Sequence, residues 1–297
     1  MNNANDTQTR FLLPRAGVRG VCVRLQDTWQ DILSHAEYPA IARGLLGQSC
    51  AAAALFTGHA KVNGRLSLQL RSQHDGLRVL FAECTAQDTL RGIARVVEGW
   101  DAPSDLNQLG DDALLAITIE NPGLDPREPQ RYQSLVSLQA TTLSEAFESY
   151  FHQSEQLPTR LLLAADGDRA AGLMLQKLPG DEGDHDGWAR AGALFDTLGA
   201  DELLAVPTGE LLHRLFHEES PEILAERPLR FACSCSRERV GSMLHSLGVT
   251  EARAALAEGA VEIRCEFCGQ RYLFDAAGIE ELFASPPVGI EAPERLQ

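Results

Sequence analysis

Positive charge is what this 297-residue chain lacks most: 26 Lys and Arg stand against 42 Asp and Glu, a formal net charge of −16. A chain so acidic repels a phosphate backbone, which argues against nucleic acid as its main partner. Long apolar runs are missing too. No stretch approaches the ~20 uninterrupted apolar residues that span a bilayer, so no membrane association is expected. Residues 1–10 are polar and hold no apolar segment of a signal peptide. The expected location is therefore the cytoplasm, where cysteines rest reduced and close-set pairs mean metal or redox chemistry.

Catalytic signatures are absent as well. There is no P-loop, no G-x-G-x-x-G after a strand, no G-x-S-x-G and no H-E-x-x-H. The eight histidines show no zinc-enzyme spacing; His213 and His217 stand four apart without a third ligand and read as surface residues. No nucleophile is recognisable beside a base, and the chain is not expected to be an enzyme.

What is present reads as an α+β protein in several parts. Residues 1–10 are expected to be disordered. A strand over Val18 and Val21–Leu25 leads to a short helix carrying Trp29 and Ile32, with Asp27 or Thr28 as its cap. The run from Ile41 to His59 is apolar nearly all round and rich in Ala and Gly, so it predicts a buried helix. Arg43, Gln48, His59 and Lys61 weigh against its crossing a membrane. Strict alternation over Arg65–Arg71, a turn at Asp75-Gly76 and a second strand to Cys84 read as a hairpin. A helix is expected near Gln87–Glu98, followed by an acidic loop around Pro103. Two strands follow at 114–120 and 132–139, across a Pro-rich connection. Thr142 or Ser144 is expected to cap a helix with Leu143, Phe147 and Phe151 as its stripe, and strands are expected at 159–165 and 170–178. Residues 1–178 are thus expected to form an N-terminal domain of antiparallel sheet carrying helices.

The composition changes at Pro179. Residues 179–229 hold 12 acidic and 3 basic side chains, more than half of the chain's net charge. Short helices are expected at 188–198, 201–206 and 210–217, the last with an apolar stripe of Leu211, Leu212, Leu215 and Phe216. Like-charge repulsion opposes a compact state, so this acidic helical linker, taken as 179–231, is expected to be metastable and folded only by docking on its neighbours.

Residues 232–285 hold four of the seven cysteines, as Cys233-x-Cys235 and Cys265-x-x-Cys268 before Gly269. Two close-set pairs brought together by a fold make a four-thiolate site, which suits tetrahedral Zn²⁺. Helices at 237–247 and 250–257, strands at 261–264 and 270–274, and few apolar residues predict a small zinc domain whose metal supplies most of the folding energy. From the residues alone, a structural zinc, a redox-active site and an accidental cluster all stand open. Arg230, Arg237, Arg239, Arg264 and Arg271 lie close to these cysteines in sequence, where guanidiniums would stabilise thiolates. Cys22, Cys50 and Cys84 sit among apolar neighbours and read as small core residues. A disordered tail is expected over 286–297.

Several stretches together resemble the redox-regulated thirty-three-kilodalton chaperonin family of bacterial heat-shock holdases. They are Phe231-Ala-Cys-Ser-Cys-Ser-Arg-Glu-Arg-Val240, Cys265-Glu-Phe-Cys-Gly-Gln270 and Leu212-His-Arg-Leu-Phe-His-Glu-Glu219, with Thr89–Ala94, Ala116–Ile119, Ser154–Arg160 and Ala171–Gln176 upstream. The resemblance covers nearly the whole chain. It implies an ATP-independent holdase that binds unfolding proteins under oxidative and heat stress. In the reduced, inactive state, one Zn²⁺ per chain would sit on Cys233, Cys235, Cys265 and Cys268. Activation would follow from Cys233–Cys235 and Cys265–Cys268 disulfides, zinc release and linker unfolding, with a homodimer as the oxidised form. Two rivals remain: a zinc-stabilised binding or scaffold protein without redox switching, and a thiol–disulfide oxidoreductase using C-x-x-C. No thioredoxin-like βαβ context surrounds Cys265, which weighs against the second.

Overall fold

The computed structural model describes residues 5–72, 76–100, 105–110, 112–123, 129–180, 183–256 and 259–284. It separates into two compact units, Met1–Ala232 and Cys233–Gln297.

The first unit is built around the apolar helix α2 (Ala40–His59). Among the described residues it is the one helix long and apolar enough to cross a membrane by composition, yet here it is core. One sheet, in the order β10-β1-β2-β9-β8, comprises β1 (Thr7–Leu13), β2 (Val18–Leu25), β8 (Thr159–Ala165), β9 (Ala170–Lys177) and β10 (Glu222–Pro228). The other, in the order β11-β5-β4-β3-β6-β7, comprises β3 (Arg65–Arg71), β4 (Leu77–Thr85), β5 (Thr89–Val96), β6 (Leu114–Asn121), β7 (Gln130–Val136) and β11 (Arg230–Phe231). Pairing is antiparallel throughout except between β11 and β5. One hydrophobic cluster joins Leu46 to Phe56 of α2 with Val21 and Val23 of β2 and with Leu66, Leu68, Leu80 and Ala82 of β3 and β4. Small residues allow the close approach: a Cβ on Gly172 of β9 would meet Leu55 Cδ1 at 2.6 Å.

Helix α3 (Leu143–Ser154) is capped as expected by Thr142, whose hydroxyl accepts from the Glu145 amide. The α1 helix (Asp27–Leu33) is not capped by Asp27 or Thr28. Its free amides instead find the carboxylate of Asp6, which accepts from Gln26 N and from Thr28 N at 2.9 Å. That buried aspartate and β1 also correct the expectation of disorder over residues 1–10, of which residues 1–4 lie outside the described set.

The helix expected at 87–98 is β5. Gly92 disfavours a helix interior, and in the sheet it sits beneath α2, where a Cβ would meet Cys50 Sγ at 2.7 Å. The Asp75-Gly76 turn, the loop at Pro103, much of the Pro-rich connection and the 286–297 tail fall on or beside residues outside the described set.

Beyond β9, three helices lie on the outer face of the five-stranded sheet: α4 (Gly187–Phe195), α5 (Ala200–Ala205) and α6 (Thr208–Phe216). Leu211, Leu212, Leu215 and Phe216 of α6 are buried there with Phe11, Leu13, Val18, Cys22, Leu173 and Leu175. Each such side chain is worth about 1.5–3 kcal/mol against exposure, so apolar burial holds the acidic segment down. Gly20 leaves room for the Phe11 ring, which stacks on Phe216 at 6.5 Å between centroids. The segment expected to be helical also contributes β10, which pairs with β1 from Thr7↔Pro228 to Leu12↔Glu222.

The second unit contains α7 (Arg237–Leu247), α8 (Val249–Ala255), the hairpin of β12 (Val261–Arg264) and β13 (Arg271–Phe274), and α9 (Ala276–Ala284), the last not read from the sequence. Its core is small: Leu244, Ala252, Val261, Phe274 and Ile279.

Candidate metal centre

Cys233 and Cys235 lie on the extended segment leading to α7, whose first turn is capped by Ser236 accepting from the Arg239 amide at 3.3 Å. Cys265 and Cys268 occupy the turn between β12 and β13. There Cys265 N donates to Gln270 O and Gly269 N to Cys265 O, both at 2.8 Å. Gly269 has φ +68°, a left-handed conformation that glycine adopts without a Cβ clash. The sequence thus builds one half of the cluster on a helix N-terminus and the other on a hairpin turn.

The four sulfurs converge to within 4.8 Å of one another. Cys233 Sγ and Cys265 Sγ are 3.6 Å apart, and Cys235 Sγ and Cys268 Sγ 3.3 Å. Four sulfurs bonded to one tetrahedral Zn²⁺ at ~2.3 Å lie about 3.8 Å from each other, so the donor set and its spacing fit that ion. Both of these contacts cross between the two motifs, as a shared centre requires.

The titration behaviour of the cluster is uneven. Burial raises the Cys233 pKa, and burial together with neighbouring thiolate raises that of Cys268. At Cys235 burial is outweighed by hydrogen bonds from the Tyr272 hydroxyl and the Cys268 thiol, so its pKa falls below the ordinary value. Tyr272 Oη donates to Cys235 Sγ at 3.1 Å. Reading the sequence missed this residue; the signal was the alternation of β13, which sets Tyr272 and Phe274 on one face.

Three of the arginines have close partners other than sulfur. Arg237 lies over the Phe274 ring at 4.3 Å and donates to Leu273 O at 2.8 Å. Arg239 donates to Ser234 O, and Arg271 pairs with Glu262 at 3.4 Å. Arg237 and Arg239 brace the backbone around the cluster, and the hydrogen bond to sulfur comes from a tyrosine. Arg230 belongs to the first unit, where its amide donates to Asp88 O. His245, a potential substitute ligand, stacks on Phe283 instead.

The other cysteines read as expected. Cys22, Cys50 and Cys84 are fully buried, and burial pushes Cys22 up to about 11, Cys84 to about 12 and Cys50 further still. His213 and His217 are exposed, with rings 5.5 Å apart.

With this geometry in place, comparison with known proteins gives one answer. The family described as Hsp33 protein matches residues 6–275. This chain belongs to the Hsp33 family. A 33 kDa chaperonin of Ectopseudomonas mendocina (strain ymp) is 45% identical, over 98% of this chain and 99% of that one. A 33 kDa chaperonin of Pseudomonas fluorescens (strain Pf0-1) is 44% identical, over 97% and 96%. The fold is also that of the crystal structure of the 33 kDa chaperonin of Thermotoga maritima, with a TM-score of 0.75 over 94% of this chain and 98% of that one, at 20% identity. Membership makes this a chaperone family protein, with four close cysteines able to hold a metal ion.

Proposed function

We propose that this Hsp33 protein is a redox-regulated, ATP-independent holdase that captures unfolding polypeptides during oxidative and heat stress in the cytoplasm. The observation that carries the reading is the four-thiol cluster, set in a unit whose own apolar core is small.

In the reduced state Cys233, Cys235, Cys265 and Cys268 would hold one Zn²⁺ per chain. Bound there, the ion would offset part of the thiolate charge and supply the folding energy that the small core lacks. Each cysteine pair can give two electrons to an oxidant such as hydrogen peroxide, which is reduced to water. The pairing we propose is Cys233–Cys235 and Cys265–Cys268; two disulfides therefore consume two equivalents of peroxide. Sulfurs joined in disulfides no longer serve as thiolate ligands.

The acidic linker, taken as 179–231 between an N-terminal domain at 1–178 and a zinc domain at 232–285, is the element we propose to unfold. Its α4–α6 helices cover an apolar sheet face. Their departure would open that face to clients, and the same exposed surface would favour a homodimer of the oxidised form.

Light scattering of a heat-aggregating client, with zinc release followed in parallel, tests the proposal. Oxidised protein should suppress aggregation and reduced protein should not. Retained zinc and unchanged structure after peroxide and mild heat would instead identify a zinc-stabilised scaffold.

A further inference from the structure

The sheet face beneath α4–α6 is not wholly apolar. Side chains alternate along β2: Val21, Val23 and Leu25 enter the core around α2, while Val18 and Cys22 face the linker helices. Arg24 shares their side, and its guanidinium meets no carboxylate among the described residues. Arg24 Nη1 donates to Leu203 O at 3.3 Å and to Val206 O, and Nη2 donates to Leu204 O at 3.2 Å. Arg169, in the turn entering β9, donates from Nη1 to the same Leu204 O at 3.3 Å.

These three carbonyls end α5 and belong to the group that a helix leaves without internal partners. Both arginines are half-buried, and burial lowers the pKa of Arg24. A desolvated guanidinium costs stability unless its donors are used, and here they are used on main chain alone. Such contacts recognise polypeptide without regard to sequence. Once the linker leaves, two donor forks stand unpaired on the sheet face that carries Cys22 and Leu173.

We propose that Arg24 and Arg169 form a backbone-carbonyl clamp, which caps α5 while the linker is docked and takes the unpaired carbonyls of an unfolded client when it is not. The linker is then a built-in stand-in for the client. This inference rests on the holdase reading above.

The test compares wild type with R24Q/R169Q, R169Q alone and R190Q, all as full chains. Arg190 is the control, because its partners Asp184, Asp186 and Glu219 all lie within the linker. Two readouts are taken: hydrogen exchange over 200–216 in the reduced protein, and affinity of the oxidised protein for fluorescein-labelled, reduced and carboxymethylated α-lactalbumin. That probe is permanently unfolded and has no thiol to exchange.

All three variants should exchange faster when reduced. Oxidised R24Q/R169Q should bind the probe about tenfold more weakly, the scale of losing hydrogen bonds from a charged donor. R169Q should show a smaller loss, and R190Q none. A pure latch predicts the opposite sign, since loosening the linker frees the face. The loss should be the same at 50 and 300 mM salt, because carbonyls are neutral.

Wild-type or tighter binding by oxidised R24Q/R169Q would overturn the clamp. So would a loss that vanishes at 300 mM salt, which identifies an anionic partner. Should the double variant fail to fold, R169Q decides by the same criteria. Oxidised wild type that binds no probe overturns the holdase reading itself, and the clamp with it.

Discussion

The hydroxyl of Tyr272 donates to the sulfur of Cys235 at 3.1 Å, tying the hairpin that carries Cys265 and Cys268 to the other half of the cluster. A donor held on a metal-binding sulfur orients that sulfur, and losing such a partner typically costs 10–100-fold in metal affinity. Tyr272→Phe keeps the ring and removes only the donor. It should release zinc to a chromogenic chelator at concentrations about tenfold lower than wild type needs, with the secondary structure of the reduced protein unchanged. Equal chelator titrations would mean that the contact is incidental.

Each of Cys233→Ser, Cys235→Ser, Cys265→Ser and Cys268→Ser should bind far less than the one zinc per chain expected of wild type, because the four sulfurs surround a single point. Chelating the metal from wild type should unfold α7, α8 and α9, since zinc contributes an apparent ~10–16 kcal/mol in comparably small units. Metal analysis together with far-ultraviolet circular dichroism checks both. Full metal content in any one variant would remove that cysteine from the ligand set.

The three buried cysteines should leave the redox response intact. The triple variant Cys22→Ala, Cys50→Ala, Cys84→Ala should still activate with oxidant, at a cost of about 1 kcal/mol per site, the scale of a one-methylene deletion. A pH effect should vanish with them. Burial raises these thiols from 9.0 to about 11 for Cys22 and about 12 for Cys84, so above pH 9 the unfolded chain releases protons that the folded chain retains. Their contribution is complete below pH 9 and is lost as pH rises toward 11–12. Denaturant unfolding from pH 8 to 11 should show wild-type stability falling more steeply than that of the triple variant.

Charge in the linker behaves less simply than its composition implies. From net charge alone, neutralising Asp181, Glu182, Asp184 and Asp186 should relieve repulsion and stabilise the docked form. Two of them also have a partner that opposes this: Arg190 gathers Asp184, Asp186 and the buried Glu219. Asp181 and Glu182 lie outside the described residues. Asp184→Asn with Asp186→Asn should therefore speed hydrogen exchange across α4–α6 in the reduced protein, as should Arg190→Gln. Slower exchange in the double variant would mean that repulsion outweighs these pairs.

Much of this was legible in the sequence for identifiable reasons. The cysteine spacings needed only counting, and the alternation at 65–71, 114–120 and 159–165 reports sheets with one face buried. The smooth apolar run of α2 announced full burial. What escaped depends on partners distant in sequence. Asp6 caps α1 across a turn of the fold, and β5 is a strand because β4 and α2 claim it. In β10, Ile223 and Leu224 are exposed, so no burial pattern marked the strand; its pairing with β1 defines it. At the metal centre, Tyr272 was hidden because its role depends on how a hairpin approaches a separate loop.

That β10 pairing has a consequence for how the proposed switch would reset. The helices α4–α6 are held between β9, which ends at Lys177, and β10, which begins at Glu222, and both strands belong to one sheet. If only the helices melt, residues 178–221 become a loop fastened at both ends beside the face they left, not a free arm. Closing such a loop grows costlier only slowly with its length, by about 0.6 kcal/mol per doubling. The return search is therefore confined, its rate independent of protein concentration. A client must compete with a neighbour that never diffuses away.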